Sequence, residues 1–103
     1  MFEKKARYSF KKGLPKNIIG SPFFVLRYQE NGLAHFRYAV VVSKKVDARA
    51  VGRNRLRRRV TALLEKENPK NPPRDLVFFL KKAIIELNNN QIKTEIQKIF
   101  LKI

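Results

Sequence analysis

The densest chemistry in this sequence lies between Ser43 and Val60, where eight basic residues accompany a single acid, Asp47. Lys44, Lys45, Arg49, Arg53, Arg55, Arg57, Arg58 and Arg59 carry the charge, and Asn54 sits among the arginines. A guanidinium is planar and donates two parallel hydrogen bonds to one oxyanion, so it grips phosphates with a geometry that a lysine ammonium lacks. Asn54 both donates and accepts, which suits it to a ribose hydroxyl or to holding a neighbouring guanidinium. This is chemistry for seizing a polyanion, not for making or breaking bonds.

The residues that would catalyse are not grouped. Metal-dependent protein nucleases need clustered carboxylates, whereas Glu3, Glu30, Asp47, Glu65, Glu67, Asp75, Glu86 and Glu95 are scattered along the chain. Glu65 and Glu67 are two apart and do not share a helical face. Acid–base cleavage wants two tunable groups, and His35, the single histidine, reads as an ordinary loop residue beside a turn. With no cysteine, disulfides, thiolate metal sites and cysteine nucleophiles are excluded. No catalytic residue and no metal ligand is assigned.

The arginines need an element to present them. From about Ala48 to Lys66 the apolar period is helical, with Leu56, Val60, Leu63 and Leu64 forming a stripe that can seal against a sheet. At about 100° per residue, Asn54 and Arg58 then point away from the stripe, Arg55 and Arg57 flank them, and Arg53 and Arg59 lie at the edges. Solvated helix faces usually mix charges so that i,i+4 ion pairs form. Here Arg53 and Arg57, and Arg55 and Arg59, are like-charged neighbours, an arrangement that makes sense beneath a phosphate backbone. Asp47 is placed as N-cap or first-turn acid, and the prolines of Asn68–Pro73 end the helix.

Around this helix the sequence predicts a sheet. Phe23–Glu30 reads as a strand, and Asn31-Gly32 after it is a strong hairpin signal. The return strand is expected over Leu33–Ser43. Alternation sets bulky Tyr38, Val40 and Val42 on the core face, and Ala39, Val41 and Ser43 on a face small enough to floor a groove. Asp75–Leu80 is continuously apolar, as in a strand buried on both sides. Asn88 with Gln91 marks a helix start, and Ile92, Ile96, Ile99 and Ile103 repeat along its buried face. Residues 1–22, broken by Gly13, Pro15, Gly20 and Pro22, are expected to be an irregular basic arm on a sheet-and-helix core of residues 23–103.

The 103 residues suit one domain, and a hydrophobic fraction of 44% is enough for a compact core. Twenty-four Lys and Arg against eight acids give a net charge of +16. Such a surface repels itself and favours a polyanionic partner, nucleic acid first, through release of condensed counterions. No segment approaches the roughly 20 apolar residues of a membrane span, and no apolar stretch follows the basic start as in a signal peptide. Cytoplasm and no membrane partner are the expectation.

The run Arg53-Asn54-Arg55-Leu56-Arg57-Arg58, preceded by Arg37-Tyr38-Ala39-Val40-Val41-Val42-Ser43-Lys44-Lys45, resembles the signature of the bacterial ribonuclease P protein family. The resemblance runs from about Phe23 to the C-terminus. It implies an α+β fold: a small mixed sheet, a basic helix in a left-handed βαβ crossover, and a C-terminal helix. It also implies two RNA partners, a catalytic RNA that holds the Mg²⁺ and performs the chemistry, and the precursor tRNA from which it cuts the 5′ leader. The protein would then be the accessory subunit of a ribonucleoprotein endonuclease, and a monomer on its own.

Carried onto this sequence, the likeness makes Lys44, Lys45, Arg53, Asn54, Arg55, Arg57 and Arg58 RNA-binding residues, with Arg49 and Arg59 beside them in the same basic segment. Ala39, Val41 and Ser43 match the positions that face the leader groove. Phe10, Phe23, Phe24 and Tyr28 are candidates for its aromatic wall, since bases of any identity stack on π-faces. The chain departs from the family pattern in having Thr61 where a basic residue is usual, and in lacking a recognisable N-terminal helix. Two other readings stay open on the sequence. One is a structural RNA-binding protein such as a ribosomal component. The other is a DNA-binding protein laying the arginine helix in a major groove, which the helix's long apolar face and the absence of a dimerisation element disfavour.

Overall fold

The computed structural model describes residues 7–67 and 72–103. In chain order the elements are β1 (Asn17–Gly20), β2 (Phe24–Glu30), β3 (Arg37–Val41), α1 (Ala50–Glu65), β4 (Arg74–Leu80) and α2 (Asn89–Phe100), with short 3-10 turns at Phe10–Lys12 and Lys82–Glu86. β4 organises the sheet. A strand with no polar face is stable where both faces are covered, and Leu76, Val77 and Phe78 are all fully buried. It takes an interior position in the order β1-β2-β4-β3, antiparallel to β2 and parallel to β3. α1 is the crossover that joins the two parallel neighbours. This is a mixed α+β architecture.

The expected hairpin between the strands flanking Asn31-Gly32 does not form, because β4 lies between them. A tight two-residue turn needs positive φ at both central residues; Gly32 has φ 67°, but Asn31 does not. The Asn31 side chain instead accepts a hydrogen bond from the Leu33 N–H at 2.9 Å and donates to the His35 carbonyl at 3.1 Å, shaping a wider connection over residues 31–36.

The arm is also more ordered than its Gly and Pro residues imply. β1 pairs with β2 in the register Ile18↔Arg27 and Ile19↔Leu26, so the sheet starts at residue 17, not 23. Gly20 and Pro22 flank the hairpin turn, where the Ser21 hydroxyl oxygen accepts from the Phe23 and Phe24 N–H groups at 3.2 Å each. Further upstream, Arg7 bridges Tyr38 in parallel, and the Tyr8 N–H donates to the Tyr38 carbonyl at 2.8 Å.

Both helices cover one face of the sheet. Leu56, Val60 and Leu64 of α1, and Ile92, Ile96, Ile99 and Phe100 of α2, pack with Phe24, Leu26, Tyr38, Leu76, Phe78 and Leu80 in one core. Each fully buried Leu, Ile or Phe there stabilises the fold by roughly 1.5–3 kcal/mol. α2 opens on the capping box expected of its sequence: Asn88 Oδ1 accepts from the Gln91 N–H and Gln91 Oε1 accepts from the Asn88 N–H, both at 2.9 Å.

Candidate nucleic-acid interface

α1 begins without a side-chain cap. Arg49 is the N-cap residue, and Asp47, expected at the cap or in the first turn, stands two residues before it. The Asp47 carboxylate accepts from the Arg49 N–H at 2.9 Å and from the Arg49 guanidinium at 3.4 Å. Those contacts, the backbone one foremost, hold the Asp47 carboxyl below its ordinary pKa. The carboxylate lies directly over Gly52, where a Cβ would stand 1.9 Å from Asp47 Oδ2. Glycine permits this close approach.

Along the helix, Leu56, Val60, Thr61 and Leu64 are buried, while Asn54, Arg55, Arg57 and Arg58 are exposed. The outward face is therefore the one that the apolar period predicts. Arg57 Nη1 donates to Asn54 Oδ1 at 2.7 Å, so Asn54 holds a neighbouring guanidinium in place. Among the described residues, Arg55 and Arg58 have no hydrogen-bond or ion-pair partner. Lys44 and Lys45 are exposed in the turn that leads into the helix.

Three arginines of the basic segment are instead engaged with the protein itself. Arg53 Nη1 donates to the carbonyls of Asp47 and Ala48 at 3.0 and 2.9 Å, closing the turn before α1. Arg59 donates to Asn89 Oδ1 and to the Leu87 carbonyl, tying α1 to the start of α2. Arg49 is paired with Asp47.

On the other side of the sheet, strand parity sorts the remaining site residues. Ala39 and Val41 pair with Val77 and Phe79 of β4, which in turn face Arg27 and Val25 of β2. These residues share the surface away from the helices. Phe24 and Tyr28 belong to the opposite parity: Phe24 is 1% exposed within the core and Tyr28 packs against it. A ring as buried as that of Phe24 offers no face to a base, and the partly buried Tyr28 lies on the helix side of the sheet, opposite the face of Ala39 and Val41. Phe23, also a candidate, is partly buried against the same core. Ser43 leaves the groove set as well. β3 ends at Val41, and the Ser43 carbonyl accepts from the Val46 N–H at 3.1 Å in a turn.

The N-terminal segment crosses one end of this open face. Arg27 Nε donates to the Pro15 carbonyl at 2.9 Å, and Gln29 Oε1 accepts from the Lys16 N–H at 3.1 Å. The Arg37 guanidinium lies 5.6 Å from the Tyr8 ring centroid, and Tyr8 meets Phe10 edge-on at 5.2 Å. Phe10 remains half exposed. Val25, Phe79, Ala39 and Val41 are only partly buried. Val25 and Phe79 escaped the sequence reading because their facing depends on pairing with β4, for which the sequence carries no local signal.

A cleft of about 380 Å³ opens where the segment at Arg7 and Tyr8 faces α1 across the edge of β3. Arg57, Arg58, Asn54 and Thr61 form its helical wall, and Tyr38, Ala39 and Val40 its floor. For metal chemistry the donor set is poor: among the described residues, no three His, Asp or Glu side chains are grouped. Nor is any helix among them long and apolar enough to cross a membrane.

A model of the Ribonuclease P family matches residues 4–103. The chain belongs to the ribonuclease P protein family. A ribonuclease P protein component from Aliivibrio fischeri is 35% identical over 79% of this chain and 69% of its own length. One from Coxiella burnetii is 34% identical over 85% and 72%. Among solved structures, an RNase P protein from Thermotoga maritima superimposes with a TM-score of 0.74 at 21% identity, covering 84% of this chain and 83% of that one. An RNase P protein from Staphylococcus aureus gives 0.68 at 22% identity over 97% and 92%. These two likenesses are of fold. Ribonuclease P is a ribonucleoprotein endoribonuclease that processes tRNA precursors, and the family supplies its protein subunit.

Proposed function

We propose that the outward face of α1 docks this ribonuclease P protein on the catalytic RNA, while the open face of the sheet receives the single-stranded 5′ leader of precursor tRNA. The observation that carries this reading is the exposed row of Asn54, Arg55, Arg57 and Arg58, in which Arg55 and Arg58 have no partner among the described residues. Three arginines on one helical face repel one another unless anions lie across them, and the phosphates of a folded RNA supply those anions along with counterion release. Lys44 and Lys45 extend the same surface.

In the groove, Ala39 and Val41 leave room for a chain to lie against the sheet, and Phe79, Val25 and Phe10 supply the apolar and aromatic surface. Cleavage chemistry belongs to the RNA in this reading. Among the described residues the acids do not group, and in this reading Mg²⁺ is held by the RNA. The protein acts as a monomer in the cytoplasm, bringing substrate and ribozyme together.

The test is reconstitution. The purified chain is added to the catalytic RNA and precursor tRNA at low Mg²⁺, and 5′ cleavage is timed. Faster cleavage is the expected result. Tight RNA binding with an unchanged rate would overturn the proposal and leave a structural RNA-binding protein in its place.

A further inference from the structure

The connection between β2 and β3 contains a dipeptide that can react with itself. Of the asparagines in the chain, Asn31 alone is followed by glycine. The backbone nitrogen that follows an asparagine can attack the side-chain carbonyl carbon, and glycine puts no side chain in the way. The surroundings do not shield that nitrogen either. Gly32 is exposed, with φ 67°, and a Cβ built on it would meet nothing within 4 Å.

The Asn31 carboxamide, by contrast, is held at both of its polar atoms. Oδ1 accepts from the Leu33 N–H at 2.9 Å, while Nδ2 donates to the His35 carbonyl at 3.1 Å and to Asp75 Oδ1 at 3.0 Å. Closing a ring onto the Gly32 nitrogen releases Nδ2 and breaks both of its bonds. The folded connection therefore resists the reaction, which proceeds when residues 31–36 open locally. Asp75 is buried, so it has little water to turn to once the amide is gone.

We propose that Asn31 is a modification site, a spontaneous deamidation gated by the fold that replaces a donor to Asp75 with a second carboxylate. The Gly32 nitrogen gives its proton to solvent and bonds to Asn31 Cγ, and the Cγ–Nδ2 bond breaks to release ammonia. Water then opens the cyclic imide, at the side-chain carbonyl to give aspartate or at the main-chain carbonyl to give isoaspartate. Arg37 already directs two nitrogens at Asp75, and like charges this close repel. Because Arg37 also lies 5.6 Å from the Tyr8 ring centroid, the lesion reaches the seat of the N-terminal arm.

The experiment uses the full chain, incubated in mildly alkaline buffer either native or in urea, with aspartate and isoaspartate mapped at each asparagine by peptide mass and elution. In urea, Asn31 is expected to convert faster than every other asparagine. In the native chain its conversion should be slower by about tenfold or more. Equal native and unfolded rates overturn the gating, and an Asn31 that lags the others in urea overturns the site.

A second arm tests the opposition to Asp75. Around Asn31 stand Arg37 of β3, Arg74 and Asp75 of β4, Glu30 at the end of β2, His35 in the connection and Tyr8 of the arm. All of them are common to the wild type and Asn31→Asp, so a pH-dependent difference between the two reports the introduced acid. Asn31→Asp should unfold at lower urea near neutrality. The gap should narrow below about pH 4, where that acid is protonated and its hydroxyl donates to Asp75 again. Combining Asn31→Asp with Asp75→Asn exchanges donor and acceptor, and should lose less than the sum of the two single losses. Should Asn31→Asp fail to fold, a folded exchange variant carries the same reading. Additive losses, a gap that does not change with pH, or an exchange variant as unfolded as the single one overturns it.

Discussion

Arg37 of β3 grips Asp75 of β4 with both prongs of its guanidinium, Nε to Oδ1 at 2.7 Å and Nη2 to Oδ2 at 2.6 Å. The two residues are register partners in the parallel pair, and Asn31 adds a third hydrogen bond to the same carboxylate at 3.0 Å. The side chains are unequally buried: Asp75 is 3% exposed and Arg37 31%. The Asp75 hydrogen bond, opposed by burial and reinforced by Asp75's charge, raises the pKa of Arg37 above its ordinary value. One polar cluster thus locks the start of β3, the start of β4 and the 31–36 connection, on the face that the N-terminal arm crosses.

That asymmetry gives an ordered prediction. Arg37→Met leaves a buried carboxylate with Asn31 as its remaining side-chain partner and is expected to cost about 3 kcal/mol. Asp75→Asn leaves a guanidinium that still reaches water and should cost less, about 1–2 kcal/mol. Urea unfolding of both variants and of the double variant checks the order; equal single losses that simply add would show that the pair is not coupled.

The basic segment divides into two groups with opposite expected phenotypes. Arg55→Ala and Arg58→Ala should leave stability within about 0.5 kcal/mol of wild type while weakening RNA binding and flattening its salt dependence by up to ~0.9 per lost phosphate contact. Arg59→Ala should lower stability by about 1–2 kcal/mol, because it deprives the start of α2 of its link to α1. Parallel thermal melts and salt titrations separate the groups. Unfolding of the Arg55 variant would mean that the wrong face of α1 has been taken as exposed.

Gly52 and Asp47 should behave as a coupled pair. Alanine is the better helix former by ~1 kcal/mol, so Gly52→Ala ought to stabilise the helix, but the added methyl collides with the Asp47 carboxylate. The gain should therefore be seen fully in an Asp47→Ala background and be reduced or reversed in the wild type. Asp47 also predicts an acid effect. Its folded pKa is depressed, so its contribution is present above the unfolded carboxyl value and is lost as pH falls through the lower folded one. Comparing acid unfolding of wild type and Asp47→Asn reads this out, and superimposable pH curves would count against it.

Tyr38 predicts an effect at the alkaline end. Burial pushes its hydroxyl up to about 12, above an ordinary value near 10. The unfolded chain then ionises first, so stability holds below about pH 10 and falls between roughly pH 10 and 12. Tyr38→Phe should lack that part of the fall. The difference between the two denaturation curves is the measurement, and identical curves would refute the assignment.

Local signals alone determined a good deal. The period of Leu56, Val60 and Leu64 set the outward face of α1, because a helix that seals a sheet must bury its apolar stripe, and the arginines then have one direction left. Asn88 and Gln91 marked the start of α2 by a bond closed within four residues. The unbroken run Leu76–Leu80 declared an interior strand of the sheet. What the sequence left undecided was everything that depends on which strands become neighbours. Only the tertiary structure set β4 between β2 and β3, sent Phe24 into the core and Tyr28 to the helix side of the sheet, and turned Val25 and Phe79 outward. It alone assigned Arg53 and Arg59 to carbonyls of their own chain, and brought Arg7 opposite Arg57 and Arg58. The physical reason is range. Helical period and capping are interactions of a few residues, whereas strand pairing and the two walls of a cleft join segments tens of residues apart, and no local pattern encodes which distant partner wins.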